Sequence, residues 1–177
     1  MSGNRGRHTS LRAGLGGENG TVTYTHDSAH RGTVNYTYDG AHRVTSRTDA
    51  LGQYTQYTYD SYERLTAVDY FPQGSGAGED DTQRVTYTYD SCSNGVGYLC
   101  YVTFGSGVTP YDMQATYEYA YTYNTAGRVL TQTMYVNAYA GTQNTTLVSF
   151  ASAYQWDDEG RMTSMQYPTV TTAAYAP

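Results

Sequence analysis

One phrase recurs along this chain and limits what it can fold into. Tyr36-Thr37-Tyr38-Asp39-Gly40-Ala41-His42-Arg43-Val44-Thr45 returns as Tyr57-Thr58-Tyr59-Asp60-Ser61-Tyr62-Glu63-Arg64-Leu65-Thr66. An earlier copy runs from Tyr24 to Arg31, a later one from Tyr121 to Leu130, and the last from Tyr154 through Trp156 to Thr163. In these five copies an acidic or amide residue stands four before an Arg: Asp27 and Arg31, Asp39 and Arg43, Asp60 and Arg64, Asn124 and Arg128, Asp157 and Arg161. A sixth copy, Tyr87-Thr88-Tyr89-Asp90, runs into a longer turn, Ser91 to Gly97, after which Tyr98 replaces the Arg. Self-similarity of this kind marks a repeat architecture built from one supersecondary unit.

The unit reads as a β-hairpin. Tyr-Thr-Tyr has period two, so both rings face one side of a strand and the Thr faces the other. Asp or Asn then starts a turn, because its short side chain accepts bonds from backbone amides two residues on. Gly127 and Gly160 sit where a positive φ is needed. His42 and Glu63 hold the same position in their copies, so the turn geometry is only partly fixed. Arg-Val-Thr or Arg-Leu-Thr opens the return strand, and its Arg can stack on a ring or bond the turn Asp. The turn residues are spaced 12, 21, 30, 34 and 33 apart. The longer intervals accommodate loops at Pro72 to Asp81, Gly105 to Asp112 and Ala138 to Thr145, and no domain boundary is evident.

Composition supports an ordered β-protein with an unusual buried surface. Leu, Val and Phe together number 22, Ile is absent, and Tyr alone also numbers 22. So low an aliphatic content warns of disorder. Disorder, however, goes with high net charge and few aromatics, whereas this chain has a net charge of −6 and 15% aromatic residues. Tyr and the 28 Thr both favour strands. The expected core is therefore the Tyr pairs with their return-strand partners: Tyr36, Tyr38 and Val44; Tyr57, Tyr59 and Leu65; Tyr87, Tyr89 and Leu99; Tyr121, Tyr123 and Val129; Tyr154, Trp156 and Met162. Full burial of Tyr59 predicts a cost of about 3–5 kcal/mol for Tyr59→Ala.

The Tyr-Thr-Tyr-Asp…Arg-Leu-Thr pattern resembles the YD-repeat, or RHS-repeat, family, over roughly residues 21 to 167. The long-turn copy from Asp90 to Cys100 also resembles a variant found in such repeats. Members include bacterial RHS polymorphic toxins, shell subunits of Tc-type insecticidal toxins, and teneurin receptors. The resemblance implies an all-β fold: tandem β-hairpins side by side in a curved, twisted antiparallel sheet, part of a shell or open repeat array. It implies a structural role in containment or surface display. At 177 residues the chain is too short to close such a shell alone. The expected organisation is a basic Gly-rich tail at 1–20, a repeat domain at 21–167 and a fraying segment at 168–177.

Chemistry elsewhere is sparse. Cys92 and Cys100 flank the long turn of the fourth copy, and they form a disulfide if the chain is exported or remain two free thiols if it is not. His26, His30 and His42 read as turn or ladder residues rather than metal ligands. Glu79, Asp80 and Asp81 lack the spacing of a dedicated calcium loop. The repeat explains the Asp series as turn formers, so catalysis, cofactors and a metal are not expected. Sequons at Asn19, Asn35 and Asn144 are candidate glycosylation sites only in a secreted chain. No apolar run approaches the ~18–20 residues of a membrane-spanning helix. The net acidity argues against nucleic acid as a partner.

Open sheet edges are adhesive unless capped, so the expected partners are neighbouring repeats of a longer chain or other copies of this one. The functional readings are a module of an exported repeat shell, a self-assembling extracellular fibre subunit, or a module binding glycans or a receptor. All three place the chain outside the cell or at its surface.

Overall fold

The computed structural model describes residues 21–24, 34–105, 115–140 and 143–172. The expected basic tail at 1–20 lies outside them, as do Asp27, His26, His30 and Arg31. The chain divides into two compact units, residues 1–80 and 81–177. Where the repeats gave no sign of a boundary, the division falls at the end of the acidic loop, just before a single 3-10 turn at Asp81–Gln83.

The first unit holds β1 (Thr21–Tyr24), β2 (Val34–Tyr38), β3 (Val44–Thr48), β4 (Tyr54–Tyr59) and β5 (Leu65–Phe71). The second holds β6 (Val85–Tyr89), β7 (Leu99–Phe104), β8 (Ala115–Tyr123), β9 (Val129–Ala140), β10 (Gln143–Trp156) and β11 (Met162–Thr172). Within each unit the strands lie in sequence order, and the pairing is antiparallel. This is the meander that tandem hairpins produce, because short turns join only antiparallel neighbours.

Every repeated hairpin among the described residues carries the same irregularity. The aromatic before the turn pairs with the aliphatic after it: Tyr38 with Val44, Tyr59 with Leu65, Tyr89 with Leu99, Tyr123 with Val129, and Trp156 with Met162. One residue further into the hairpin the register shifts, leaving an extra residue on the return strand. That residue is Thr45, Thr66, Cys100, Leu130 or Thr163. A β-bulge of this kind bends the strand and disrupts the ladder locally.

One expected loop and part of the expected fraying segment are strand. The excursion expected at Ala138 to Thr145 is instead the close of a long hairpin, with Ala140 paired to Gln143. Only Gly141 and Thr142 separate the strands, and the flanking Tyr, Thr and Val favour extension. Of the segment expected to fray from residue 168, residues 168–172 belong to β11, and the rest lies outside the described residues. Pro168 is tolerated there because it falls at a register shift of β11, the last strand in the order, and a missing N–H is accepted at bulges and edges.

The Tyr core also differs from expectation. The rings share a face, but Cys100 and Tyr123 are the buried hydrophobic residues among those described, and Tyr36, Tyr38, Tyr57, Tyr59, Tyr87, Tyr89, Tyr121, Tyr154 and Trp156 are half-buried. Within each unit the hairpins lie side by side in a sheet, so ring burial comes from neighbours along the sheet rather than from an enclosed core.

Candidate functional site

The recurring site is the junction between one hairpin's turn and the next hairpin's strand. At the first complete turn, Asp39 Oδ1 accepts the backbone N–H groups of Ala41 and Arg43, both at 2.9 Å. Its Oδ2 accepts the Arg43 guanidinium at 2.7 Å. Asp60 repeats the arrangement with Tyr62 and Arg64, and Asp157 with Arg161. The carboxylate thus closes the turn from inside and anchors the Arg.

These bonds favour the charged form. The N–H of Arg43, aided by its guanidinium, holds Asp39 below the usual carboxylate value, and Arg161 does the same for Asp157. For Asp60 desolvation pulls upward most strongly, yet the bonds from Arg64 and Tyr62 together outweigh it. Asn124 keeps the two backbone bonds, to Ala126 and Arg128, without a carboxylate.

The fourth residue of the turn has positive φ in every short copy among the described residues: 62° at His42, 67° at Glu63, 75° at Gly127 and 86° at Gly160. His42 and Glu63 therefore adopt a backbone that glycine takes without strain. A turn of the same form joins β3 to β4, where Asp49 accepts the N–H groups of Leu51 and Gln53, and Gly52 has φ 82°. Sequence reasoning missed Asp49 because Gln53 stands where an Arg was sought. The Asp-x-x-Gly spacing it shares with Asp157 and Gly160 was the available signal.

The junction itself is an aromatic latch. Tyr59, the last residue of β4, donates its hydroxyl to the Val44 carbonyl of the preceding hairpin at 2.8 Å. Tyr123 does so to Leu99 at 2.5 Å, and the Trp156 indole N–H does so to Val129 at 2.8 Å. In each case the acceptor is the residue directly before the bulge. The bulge takes this part of the return strand out of the regular ladder, and the next aromatic reaches its carbonyl. Trp replaces Tyr in the last copy without loss, because both present a donor at the tip of an apolar ring.

What covers the latch varies. The Arg43 guanidinium lies 4.6 Å from the centre of the Tyr59 ring. Arg128 lies against Gly160, where its guanidinium fills the space a Cβ would take. Arg64 lies 5.1 Å from the centre of the Tyr62 ring in its own turn. Arg161 is 74% exposed and pairs with Asp157 and Glu159.

At the long turn Tyr98 takes the Arg's part. Its ring stacks on Tyr123 with centroids 4.8 Å apart, and its hydroxyl occupies the space beside Gly127. Asn94 adds a bond to the Tyr123 carbonyl at 2.9 Å. Cys92 and Cys100 are joined in a disulfide, and Cys100 is the extra residue of the bulge. Asp90 itself has φ 66°, and it accepts the Gly97 N–H at 2.6 Å. Neither Asn94 nor the Tyr98 stack was anticipated, since both depend on a hairpin that starts about 20 residues later.

The remaining candidates are scattered. Asn35 lies in β2, half-buried and opposite Thr48, Asn144 lies in β10, and Asn19 is outside the described residues. His42 is an exposed turn residue. Among the described residues no three His, Cys, Asp or Glu side chains are grouped to hold a metal ion.

The repeated junction has a counterpart among known families. Residues 38–75 match the RHS repeat. The matched segment contains the Asp39 and Asp60 turns and the Tyr59 latch. Among solved structures, the chain is similar to the crystal structure of TcdB2-TccC3 without its hypervariable C-terminal region, with TM-score 0.55 and 19% identity over 86% of this chain. A TcdB2-TccC3-Cdc42 structure matches equally, with TM-score 0.55 and 19% identity over 87% of this chain. The chain spans 9% of the length of each of those chains. No curated protein matches it by sequence. The likeness establishes a shared all-β fold.

Proposed function

We propose that this chain is a structural module of an exported RHS-repeat protein, forming part of a β-shell used for containment or display. The observation that carries this reading is the latch: three times an aromatic donor of one hairpin closes on the bulged return strand of the one before. Such a contact adds units in a line, and its strength is a nearest-neighbour property. The turn carboxylates are engaged in holding their own turns, which favours a structural over a catalytic use of the Asp series.

The far side of the array fits the same reading. On β11, Met162, Met165, Tyr167 and Val170 are exposed, between 44% and 80%. Met162 stands where Val44, Leu99 and Val129 stand in their hairpins, so its carbonyl is the next acceptor in the series. A neighbouring repeat bearing Tyr or Trp before its turn is the partner this edge suits. Export is consistent with the disulfide. Among the described residues no helix is long and apolar enough to cross a membrane.

The test is to append one further hairpin, with the sequence of residues 54–71, after Pro177. The backbone amides of β11 are expected to exchange more slowly, and changing the appended copy's counterpart of Tyr59 to Phe should reverse much of the gain. Unchanged exchange in β11 would overturn the module reading.

A further inference from the structure

The long turn between β6 and β7 is closed by a different chemistry from the short turns. At Asp39 and Asp60 a carboxylate holds the turn, whereas here the Cys92–Cys100 disulfide spans it. Gly95 packs against both sulfurs so closely that a Cβ would collide with each of them. The same turn reaches the next hairpin twice: the Tyr98 ring stacks on Tyr123, and Asn94 donates to the Tyr123 carbonyl. Tyr123 in turn donates its hydroxyl to the carbonyl of Leu99, the residue beside Cys100. One covalent bond thus supports three contacts between the two hairpins.

The two cysteines are not equivalent. Cys100 is fully buried, with 0% exposure. Cys92 is half-buried and lines an open hollow together with Ser91 and Ser93 of the same turn, both exposed. Thiol–disulfide exchange proceeds by attack of a thiolate on one sulfur, and access helps to decide which sulfur that is. The other sulfur departs as a thiolate. Here the departing sulfur already has a donor, because the Cys92 backbone N–H donates to Cys100 Sγ at 3.0 Å. A hydrogen bond to an ionised acceptor is stronger than one to a neutral acceptor. This bond therefore strengthens as Cys100 leaves, and it offsets the cost of a charge in a buried position.

We propose that this disulfide is a thiol–disulfide exchange site, open to a dithiol at Cys92, and that its reduction releases the Tyr123 latch. A thiolate of the dithiol forms a bond to Cys92 Sγ and the Cys92–Cys100 bond breaks. The electron pair of that bond goes to Cys100 Sγ, which then takes a proton from water. The second thiolate of the dithiol attacks its own sulfur in the mixed disulfide, and Cys92 departs and is protonated in the same way. Two electrons reach the protein, and the dithiol ends as a disulfide. The freed turn no longer holds Gly95 against the sulfurs, so Tyr98 and Asn94 lose their hold on Tyr123. The junction at Tyr59 is covered by Arg43 and is untouched by the reductant. The Tyr123 latch is thus closed where disulfides persist and opens where dithiols are abundant. The inference concerns one junction inside the second unit and does not rest on the module reading.

The experiment treats the folded, oxidised full chain with reduced glutathione, a monothiol, and separately with dithiothreitol, a dithiol. Samples are quenched in acid and mapped by mass spectrometry. The glutathione adduct is expected on Cys92, in about tenfold excess or more over Cys100. Reduction by dithiothreitol is expected to rise in proportion to its concentration and to outpace global unfolding, measured in urea and extrapolated to water. In the reduced chain, amide exchange of residues 117–123 should quicken about tenfold or more, while that of residues 54–59 stays as it was. Absence of an adduct, an adduct on Cys100, or equal adducts on both cysteines overturns the proposal. So does reduction only at the rate of global unfolding, which would mean that the bond is reached from the unfolded chain alone. A reduced chain whose exchange is unchanged at 117–123, or raised equally at 54–59, overturns it as well.

Discussion

Two junctions in this molecule perform the same task by different means. At Tyr59 the latch is covered by Arg43, whose own position depends on Asp39, and the ring stays half-buried. At Tyr123 the cover is Tyr98, held by a disulfide-closed turn, and the ring is only 7% exposed. The hydroxyl bond to the preceding hairpin is common to both. The difference teaches that the repeat conserves a backbone acceptor and an aromatic donor. The group over the ring is interchangeable between a cation and a second ring, because both are attracted to an aromatic face.

The largest expected effect separates the two rings directly. Tyr123→Ala should cost about 3–4 kcal/mol, near the value for a buried aromatic. Tyr59→Ala should cost about 2 kcal/mol, because the ring is only partly buried and part of it already meets water. Urea unfolding of both variants measures this, and equal losses would break the comparison.

Removing the staple comes next. Cys92→Ser with Cys100→Ser frees a loop of some ten residues, for which chain entropy predicts about 2–3 kcal/mol. The loss should be felt at Tyr123 and not at Tyr59, read by side-chain NMR of the two rings. Gly95→Ala sharpens the point, since a Cβ at Gly95 meets both sulfurs of the disulfide.

Acid should discriminate in the opposite direction. Asp39 and Asp60 have folded pKa values below the ordinary 3.8. Their contribution is therefore complete above that value and is lost as the pH falls through the lowered folded values. Below about pH 4 the Tyr59 junction should loosen before the Tyr123 junction, where the cover carries no charge. Amide protection factors for residues 54–59 and 117–123 between pH 5 and 2 test it, and simultaneous loss at both would count against the distinction.

The smallest effect is a gain. Glu63 is exposed with φ 67°, so Glu63→Gly should stabilise by about 0.5–1 kcal/mol in thermal melts. Gly127 has a similar φ, but there the Tyr98 ring occupies the space a Cβ would need, so Gly127→Ala should destabilise.

The hairpins themselves were legible in the residue order. Period-two Tyr and Thr, an Asp or Asn four before an Arg, and a Gly in the turn are local rules. Local backbone and side-chain bonds within five residues satisfy them. The Asp39, Asp60 and Asp157 turns are built in this way. What lies between hairpins was not legible. The sequence of residues 87–100 contains nothing that points Tyr98 at Tyr123 or Asn94 at its carbonyl. Those contacts arise only when β7 pairs with β8. The latch likewise needs a bulge, which opens a carbonyl on one strand, and a neighbour whose register brings a ring tip to it. Sequence by itself determined the units, because turn chemistry and side-chain alternation act over a few residues. The tertiary structure decided how each unit is held to the next, because that depends on pairing registers between segments that no local preference sets.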